Sequence, residues 1–357
     1  MADALLRPRE AVVNMAPYSP PTAGREGKLR LDFNENTVGC SPAVVQAITS
    51  ALTQERLSIY PEYEATRAAL SHFYGLPEQQ FILTNGTDEA IQVLVNTFVD
   101  DNQEVLVLQP SYAMYRFYAE VAGARVIGLP YRPEDLAFPL EELLARISLA
   151  TRAILIANPN NPTGTLIGIE AIEAILRRAP HSAVLIDEAY YEFCGVTGLP
   201  LVARYQNLFV SRTFSKAYGL AGLRIGCLLS QTENVRYLRK AQSPYSVNIL
   251  AAIAARAAVH DGAYVENFVR KALVARDLLC AGFENRGISY YESHGNFVLF
   301  RAGERSIFIR DALRDRGVLV RDRSYEIPGC VRVTAGTPQQ VERFFAAFDE
   351  VGSEVRA

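Results

Sequence analysis

The 357-residue chain has no CxxC pair, no run of basic residues, no window of roughly 18 apolar residues and no GxGxxG glycine fingerprint. Each absence removes a class of protein. The five cysteines (Cys40, Cys194, Cys227, Cys280 and Cys330) are far apart. An odd, scattered set makes neither a disulfide framework nor a zinc site and reads as reduced thiols in a cytoplasmic protein. With a net charge of −3 and dispersed Lys and Arg, the chain lacks the electrostatic footprint of a nucleic-acid binder. Without a long apolar window it is not expected to cross a membrane. The opening "MADALLRPREAVVNMAPYSPP" lacks the uninterrupted apolar core of a signal peptide. A nicotinamide-dependent dehydrogenase would carry the missing glycine fingerprint after an early strand. A serine acyl-transfer enzyme would have serine three residues before Lys216 together with SDN and KTG. Thr213 stands at that place, and neither tripeptide occurs.

Apolar residues make up 49% of the chain and charged residues 21%, enough to bury a substantial core. Residues 1–28 are rich in Pro, Gly and Arg and read as an arm. From about residue 80, "EVLVLQP", "RAILIANP", "AVLIDEA" and "NLFVSRT" are aliphatic runs ending in polar or turn residues. Such strands, apolar on both faces, belong to a mainly parallel sheet covered by helices. Between them "TDEAIQVLVNTFVD" sets Ile91, Leu94, Val95 and Phe98 on one helical stripe. After about residue 248 a long Ala- and Arg-rich helical stretch leads into "GNFVLFRA", "GVLVRDR" and "CVRVTAG", which read as short alternating strands with a helix between them. The expected fold is α/β: a large domain over 29–248 with a mainly parallel mixed sheet between helices, and a smaller α+β domain over 249–357.

The strand ends carry unusual polar clusters: "TNGTDEA", "NPNNPTG", "DEAYYEF" and "SRTFSKAYGLAGLRIG". Each has an ordinary explanation, since the asparagine-proline stretch is a good turn and Asp187 or Thr87 is a good helix cap. Taken together they meet one set of needs. A helix starting at Gly86, Thr87 and Asp88 offers free backbone N–H groups to a phosphate, with Asp88 contributing its amide rather than its carboxylate. Ser215 and Arg224 add a hydroxyl and a permanent cation. Asp187 suits a protonated ring nitrogen, Asn161 and Tyr190 a phenolic oxygen, and Tyr112 a stacked ring. Lys216 suits an aldehyde, with which it forms a Schiff base. Phosphate, pyridinium, phenolate and aldehyde are the functional groups of pyridoxal phosphate.

From "APYSPP" to "VRVTAGT" the sequence resembles the fold type I pyridoxal-phosphate enzymes and, within them, the histidinol-phosphate aminotransferases. The motifs occur in the family's order over nearly the whole chain. The resemblance implies the fold type I transferase architecture. It makes Lys216 the Schiff-base lysine, Asp187 the partner of the ring nitrogen, Tyr190 and Asn161 the pair on the phenolic oxygen, and Tyr112 the stacking ring. It places Gly86, Thr87, Asp88, Thr213, Ser215 and Arg224 around the cofactor phosphate. Tyr60, in "IYPEYEA", matches a tyrosine that reaches the phosphate of a neighbouring subunit, which implies a homodimer with shared sites. No metal is implied. Regulatory modules built on this fold carry a DNA-binding segment, and nothing basic or helix-turn-helix-like precedes residue 28.

By the same resemblance Arg332 grips a substrate α-carboxylate, and Arg321 in "VRDRS" and Tyr18 of the arm meet a substrate phosphate. Asn36 in "NENTVGC" joins the substrate-binding set. If the "GVLVRDR" strand is regular, Arg321 and Arg323 share a face, and Arg323 is an alternative to Arg321. The implied reaction is ping-pong transamination between a small-molecule amino donor, histidinol phosphate, and 2-oxoglutarate, within histidine biosynthesis. Thr37 and Cys227 depart from the family's usual proline and aromatic, so donors typical of sister branches remain open: aromatic or other amino acids, or threonine phosphate undergoing decarboxylation.

Overall fold

A computed structural model describes residues 6–17 and 21–354. Its main feature is a seven-stranded sheet: β1 (Phe81–Thr84), β2 (Glu104–Gln109), β3 (Arg125–Pro130), β4 (Thr151–Ala157), β5 (Ala183–Asp187), β6 (Leu208–Thr213) and β7 (Gly226–Leu229). The spatial order is β1-β7-β6-β5-β4-β2-β3. All neighbours are parallel except around β7, which runs antiparallel to both β1 and β6. The sheet is therefore mainly parallel and mixed, as its aliphatic runs imply.

Both faces of these strands are apolar because both are covered. On one side Val105, Val107, Leu155, Leu185 and Phe209 pack with Ile91, Leu94 and Val95 of helix α1 (Gly86–Phe98) and with Met114 and Tyr115 of helix α2 (Ala113–Val121). On the other, Leu106, Leu108, Ile154, Ile156, Ile186 and Val210 join a second core. Each such fully buried aliphatic side chain contributes about 2 kcal/mol.

The Ala-rich stretch is two helices, α3 (Ile249–His260) and α4 (Gly262–Glu284). The break falls at Asp261-Gly262, and the Asp261 carboxylate accepts a hydrogen bond from Ser41. The small side chains of α3 let it sit in the large-sheet core. Helix α4 spans two cores, with Phe268 and Ala272 in that of the large sheet and Ala275, Leu279 and Phe283 in a third. By packing, then, the change of core occurs within α4.

The third core lies under an antiparallel sheet of β8 (Tyr290–Tyr291), β9 (Phe297–Arg301), β10 (Arg321–Asp322) and β11 (Cys330–Thr334), in the order β10-β11-β9-β8. "GVLVRDR" is not one regular strand. Val318–Leu319 pairs in parallel with Leu29–Arg30, and only Arg321–Asp322 joins the small sheet. Strands β9 and β11 are buried on both faces and so lack the alternation their sequences suggest. Val298, Phe300, Val331 and Val333 enter the third core, while Phe297, Leu299 and Cys330 turn to the large-sheet core. Among the described residues no helix is long and apolar enough to cross a membrane.

Candidate active site

The carboxyl ends of β1, β4, β5 and β6 lie on one side of the sheet, where open α/β sheets place their ligands. Strand β7 begins there because it runs the other way: Gly226 is in register with both Thr84 and Thr213. Arg224, two residues before it, therefore meets the start of α1 although 138 positions separate it from Gly86 in the sequence. One cavity collects the results. Its lining includes Thr87, Asp88 and Tyr112, then Asn161, Asp187 and Tyr190, then Thr213, Ser215, Lys216 and Arg224.

At one end, Gly86 opens α1 with φ of +73°, and a Cβ there would lie 2.4 Å from Arg224 Nη2. Only glycine admits this approach without strain. Arg224 Nη1 donates to Ser215 Oγ at 3.4 Å and Nη2 to Asp88 Oδ2 at 3.1 Å. Tyr112 donates to the other Asp88 oxygen at 2.7 Å, so that carboxylate is turned to its neighbours while the helix amides face the cavity. Among the described residues Thr87 Oγ1 is buried without a partner, which is the signature of a polar group waiting for a ligand. Thr213 Oγ1 accepts the Ser215 N–H at 3.1 Å and holds the turn that carries Lys216.

At the other end, Asp187 closes β5, buried. Tyr115 donates to its Oδ2 at 2.7 Å and Ser211 to its Oδ1 at 2.9 Å. Burial pushes the carboxyl up to about 6, against the opposing pull of those two hydrogen bonds. A cationic ring nitrogen beside it restores the ionised form. Between the two ends, Lys216 Nζ donates to Phe33 O at 2.9 Å and lies 5.8 Å from the centre of the Tyr190 ring. Hydroxyl, amide and guanidinium donors at one end, a carboxylate at the other and an amine between them fit pyridoxal phosphate, and the unpartnered Thr87 hydroxyl and the glycine-only approach at Gly86 support that fit.

Arg332 borders the same space. Alternation along β11 sends Val331 and Val333 into the third core and Arg332 the other way. It is 4% exposed, and its Nη2 donates to Asp32 O at 2.6 Å. Its Nη1 donates to Asn161 Oδ1. Its Nε has no partner. Burial, then the positive charges of Arg323 and Arg321, pulls its titration down to about 10. Arg321 is the register partner of Arg332 on β10, so two guanidinium groups leave the same face side by side, an arrangement that costs stability unless an anion joins them. Among the described residues neither has a carboxylate partner, whereas Arg323 is paired with Glu326. That pairing engages one end of Arg323, whose Nε has no partner among the described residues.

Some expected residues lie elsewhere. Arg321 stacks over Phe33, 5.4 Å from the ring centre, and lines a neighbouring opening with Pro21 and Tyr325. Asn36 does not face the cavity: its Nδ2 donates to Ala217 O and its Oδ1 accepts from the Val38 and Gly39 N–H groups, so its amide is engaged in shaping the loop. Tyr60 is remote from this cavity, 74% exposed and stacked on Tyr245. Tyr18 lies outside the described residues. Conversely, the sequence reading missed Tyr115, Ser211 and Asn34. The signal for the first two was spacing: Ser211 shares the strand face of Thr213, and Tyr115 follows Tyr112 by one helical turn. Asn34 donates from Nδ2 to the Tyr190 hydroxyl at 3.0 Å, and nothing in "DFNEN" announces it.

The chain matches the model of the family described as aminotransferase class I and II over residues 26–348. It is 38% identical to the histidinol-phosphate aminotransferase of Symbiobacterium thermophilum over 354 residues, covering 95% of this chain and 97% of the relative. It is 34% identical to that of a Geobacillus species over 356 residues, covering 95% and 96%. Among solved structures, histidinol-phosphate aminotransferase from Sinorhizobium meliloti in complex with pyridoxal-5'-phosphate superposes with a TM-score of 0.89 at 26% identity, covering 99% of both chains.

Proposed function

Because the chain belongs to the class I and II aminotransferases, we propose that it transfers the amino group of histidinol phosphate to 2-oxoglutarate with pyridoxal phosphate as cofactor, in histidine biosynthesis. The observation that carries the reading is the single cavity lined by Lys216, Asp187, Tyr190, Asn161, Ser215 and Arg224. When bound, the cofactor supplies an aldehyde that accepts amines and a ring that takes up the electrons released at the substrate carbon.

The residues divide that work. Gly86, Thr87, Asp88 (through its amide), Thr213, Ser215 and Arg224 bind the phosphate. Asp187, held by Tyr115 and Ser211, keeps a proton at the ring nitrogen. Asn161 and Tyr190 donate to the phenolic oxygen, and Tyr112 covers the ring. Lys216 is the amine that anchors the cofactor. Once displaced, its Nζ takes the proton from the amine-bearing carbon and returns it two bonds away, on the far side of the nitrogen. The donor carries its phosphate ester on the CH2 group attached to the amine-bearing carbon, on the side where glutamate carries its α-carboxylate, so Arg332 receives both anions in turn. Arg321 adds charge for the phosphate.

We further place two copies of the chain together, with Tyr60 reaching the partner's phosphate cup. Its exposure, beside exposed Leu57, Ile59 and Tyr245, supports this. Five free thiols support a cytoplasmic location.

The test is the visible spectrum of the cofactor-loaded protein during titration with L-histidinol phosphate. Bleaching of a yellow band at low donor concentration is the expected result. A yellow protein that bleaches only with aromatic amino acids overturns the donor assignment and leaves the cofactor assignment standing.

A further inference from the structure

The segment Asp32–Asn34 touches three functional groups in three consecutive residues. Asp32 O accepts from Arg332, Phe33 O from Lys216, and Asn34 donates to Tyr190. The first two contacts use backbone, which no substitution removes. The third uses a side chain, and its hydrogen-bond accounting has one solution.

Asn34 is fully buried and sits at φ of 56°, a left-handed conformation that asparagine tolerates better than most residues. Its own N–H donates to Thr334 Oγ1 at 3.0 Å. That hydroxyl has one proton of its own, and its remaining contact is Asn34 Oδ1 at 3.1 Å. With that proton on the Asn34 oxygen every group here is paired, whereas a flipped amide leaves the buried Thr334 proton without an acceptor, which sets which end of the amide is which. The Nδ2 end must face Tyr190, 3.0 Å away. The phenolic oxygen of Tyr190 accepts from Asn34, so the Tyr190 proton is directed elsewhere, and among the described residues it meets no protein acceptor. Tyr190 itself is fixed by an edge contact with Phe297, 5.3 Å between ring centres. Tyr190 lines the cavity of Lys216.

We propose that Asn34 is a positioning residue that makes Tyr190 an obligate hydrogen-bond donor into the cavity, with Thr334 setting the polarity of the relay. Accepting from Asn34 strengthens the bond that Tyr190 donates onward, because hydrogen bonds in a chain polarise one another. The assignment rests on the pyridoxal-phosphate reading, in which the onward acceptor is the phenolic oxygen of the cofactor. A strong donor there withdraws negative charge and loosens the proton on the nitrogen joined to Lys216. The relay also crosses between layers of the fold. Thr334 closes β11, two residues from Arg332, and Asn296, just before β9, donates to Asn34 O at 3.2 Å. Placement of the small sheet and polarity at Tyr190 are thus joined at one side chain.

The test is a pH titration of the visible band in the cofactor-loaded protein, compared with its variants. Asn34→Gly keeps the left-handed backbone and deletes the donor, and its midpoint should move upward by about half a pH unit. Asn34→Asp replaces the donor by an acceptor of the same shape, draws the Tyr190 proton away from the cavity and should move the midpoint further. Thr334→Val, which leaves Asn34 in place but removes its orientation, should move it in the same direction. In a Tyr190→Phe background Asn34→Gly should add nothing. A midpoint unchanged in all three single variants overturns the proposal. So does a shift of equal size with and without the Tyr190 hydroxyl, which marks a merely structural role. Wild-type protein without a visible band after loading overturns the cofactor reading itself, and the relay with it, before any variant is compared.

Discussion

Replacing Arg332 by methionine should leave the cofactor-free protein about as stable as before and the enzyme nearly inactive. The two effects have one origin. Arg332 is a buried cation whose acceptors are an amide oxygen and a backbone carbonyl, with no carboxylate among the described residues. The downward displacement of its titration to about 10 corresponds to about 3 kcal/mol against the charged form. Methionine fills similar space without that penalty but forfeits two hydrogen bonds from a charged donor, at about 1.5 kcal/mol each. The balance is close to zero, so Tm should move by no more than about 1–2 °C for a chain of this length. For catalysis nothing offsets the loss, since a substrate anion entering the same place loses the buried guanidinium that receives it. Breaking a buried charge pair from one side costs about 3–5 kcal/mol, which is roughly 100- to 1,000-fold or more in kcat/KM. Arg332→Lys should fall between, at about tenfold, because an ammonium cannot offer two parallel N–H groups. Thermal unfolding of the cofactor-free protein and steady-state kinetics with donor and 2-oxo acid measure the two halves. An Arg332→Met protein that melts several degrees lower while keeping kcat/KM within about threefold refutes the reasoning.

Three further outcomes are expected. Burial raises the Asp187 carboxyl from 3.8 to about 6, so between those values the folded protein keeps a proton that the unfolded chain has released. Stability of the cofactor-free protein therefore falls as pH rises through this window, by about 3 kcal/mol from this group, and urea midpoints at pH 4.5 and 7 should differ less in Asp187→Asn. Gly86→Ala pushes a methyl against Arg224 at a backbone angle of +73° and should weaken cofactor binding at least about tenfold, read by absorbance titration with a circular-dichroism control for folding. Mixing inactive Lys216→Ala with inactive Tyr60→Ala should restore activity, since a mixed dimer contains one site with both residues intact; failure to recover any activity after subunit exchange argues against a shared site.

Periodicity and local chemistry alone determined most of the architecture. The aliphatic runs at β2, β4, β5 and β6 were legible because a strand covered on both sides must be apolar on both faces. The residues at their carboxyl ends, Asp187, Thr213 and Lys216, could be named because chain direction places such ends together. The stripe Ile91–Leu94–Val95 declared α1 in the same way. Other features depended on contacts that no local pattern encodes. That β7 runs antiparallel, and so carries Arg224 to Gly86, is a property of strand pairing. "GVLVRDR" became two short pairings because Leu29–Arg30 and Val331–Arg332 compete for it from different sides of the fold. Asn36 and Asn34 are two residues apart in one motif, yet one amide closes a turn and the other reaches Tyr190. Arg321 and Arg323 look interchangeable in the sequence until Glu326 pairs with one and Arg332 stands beside the other. Residue type sets what a side chain is able to do, but which partner it meets is set by chain segments up to three hundred residues away. Only the packed structure brings those segments together.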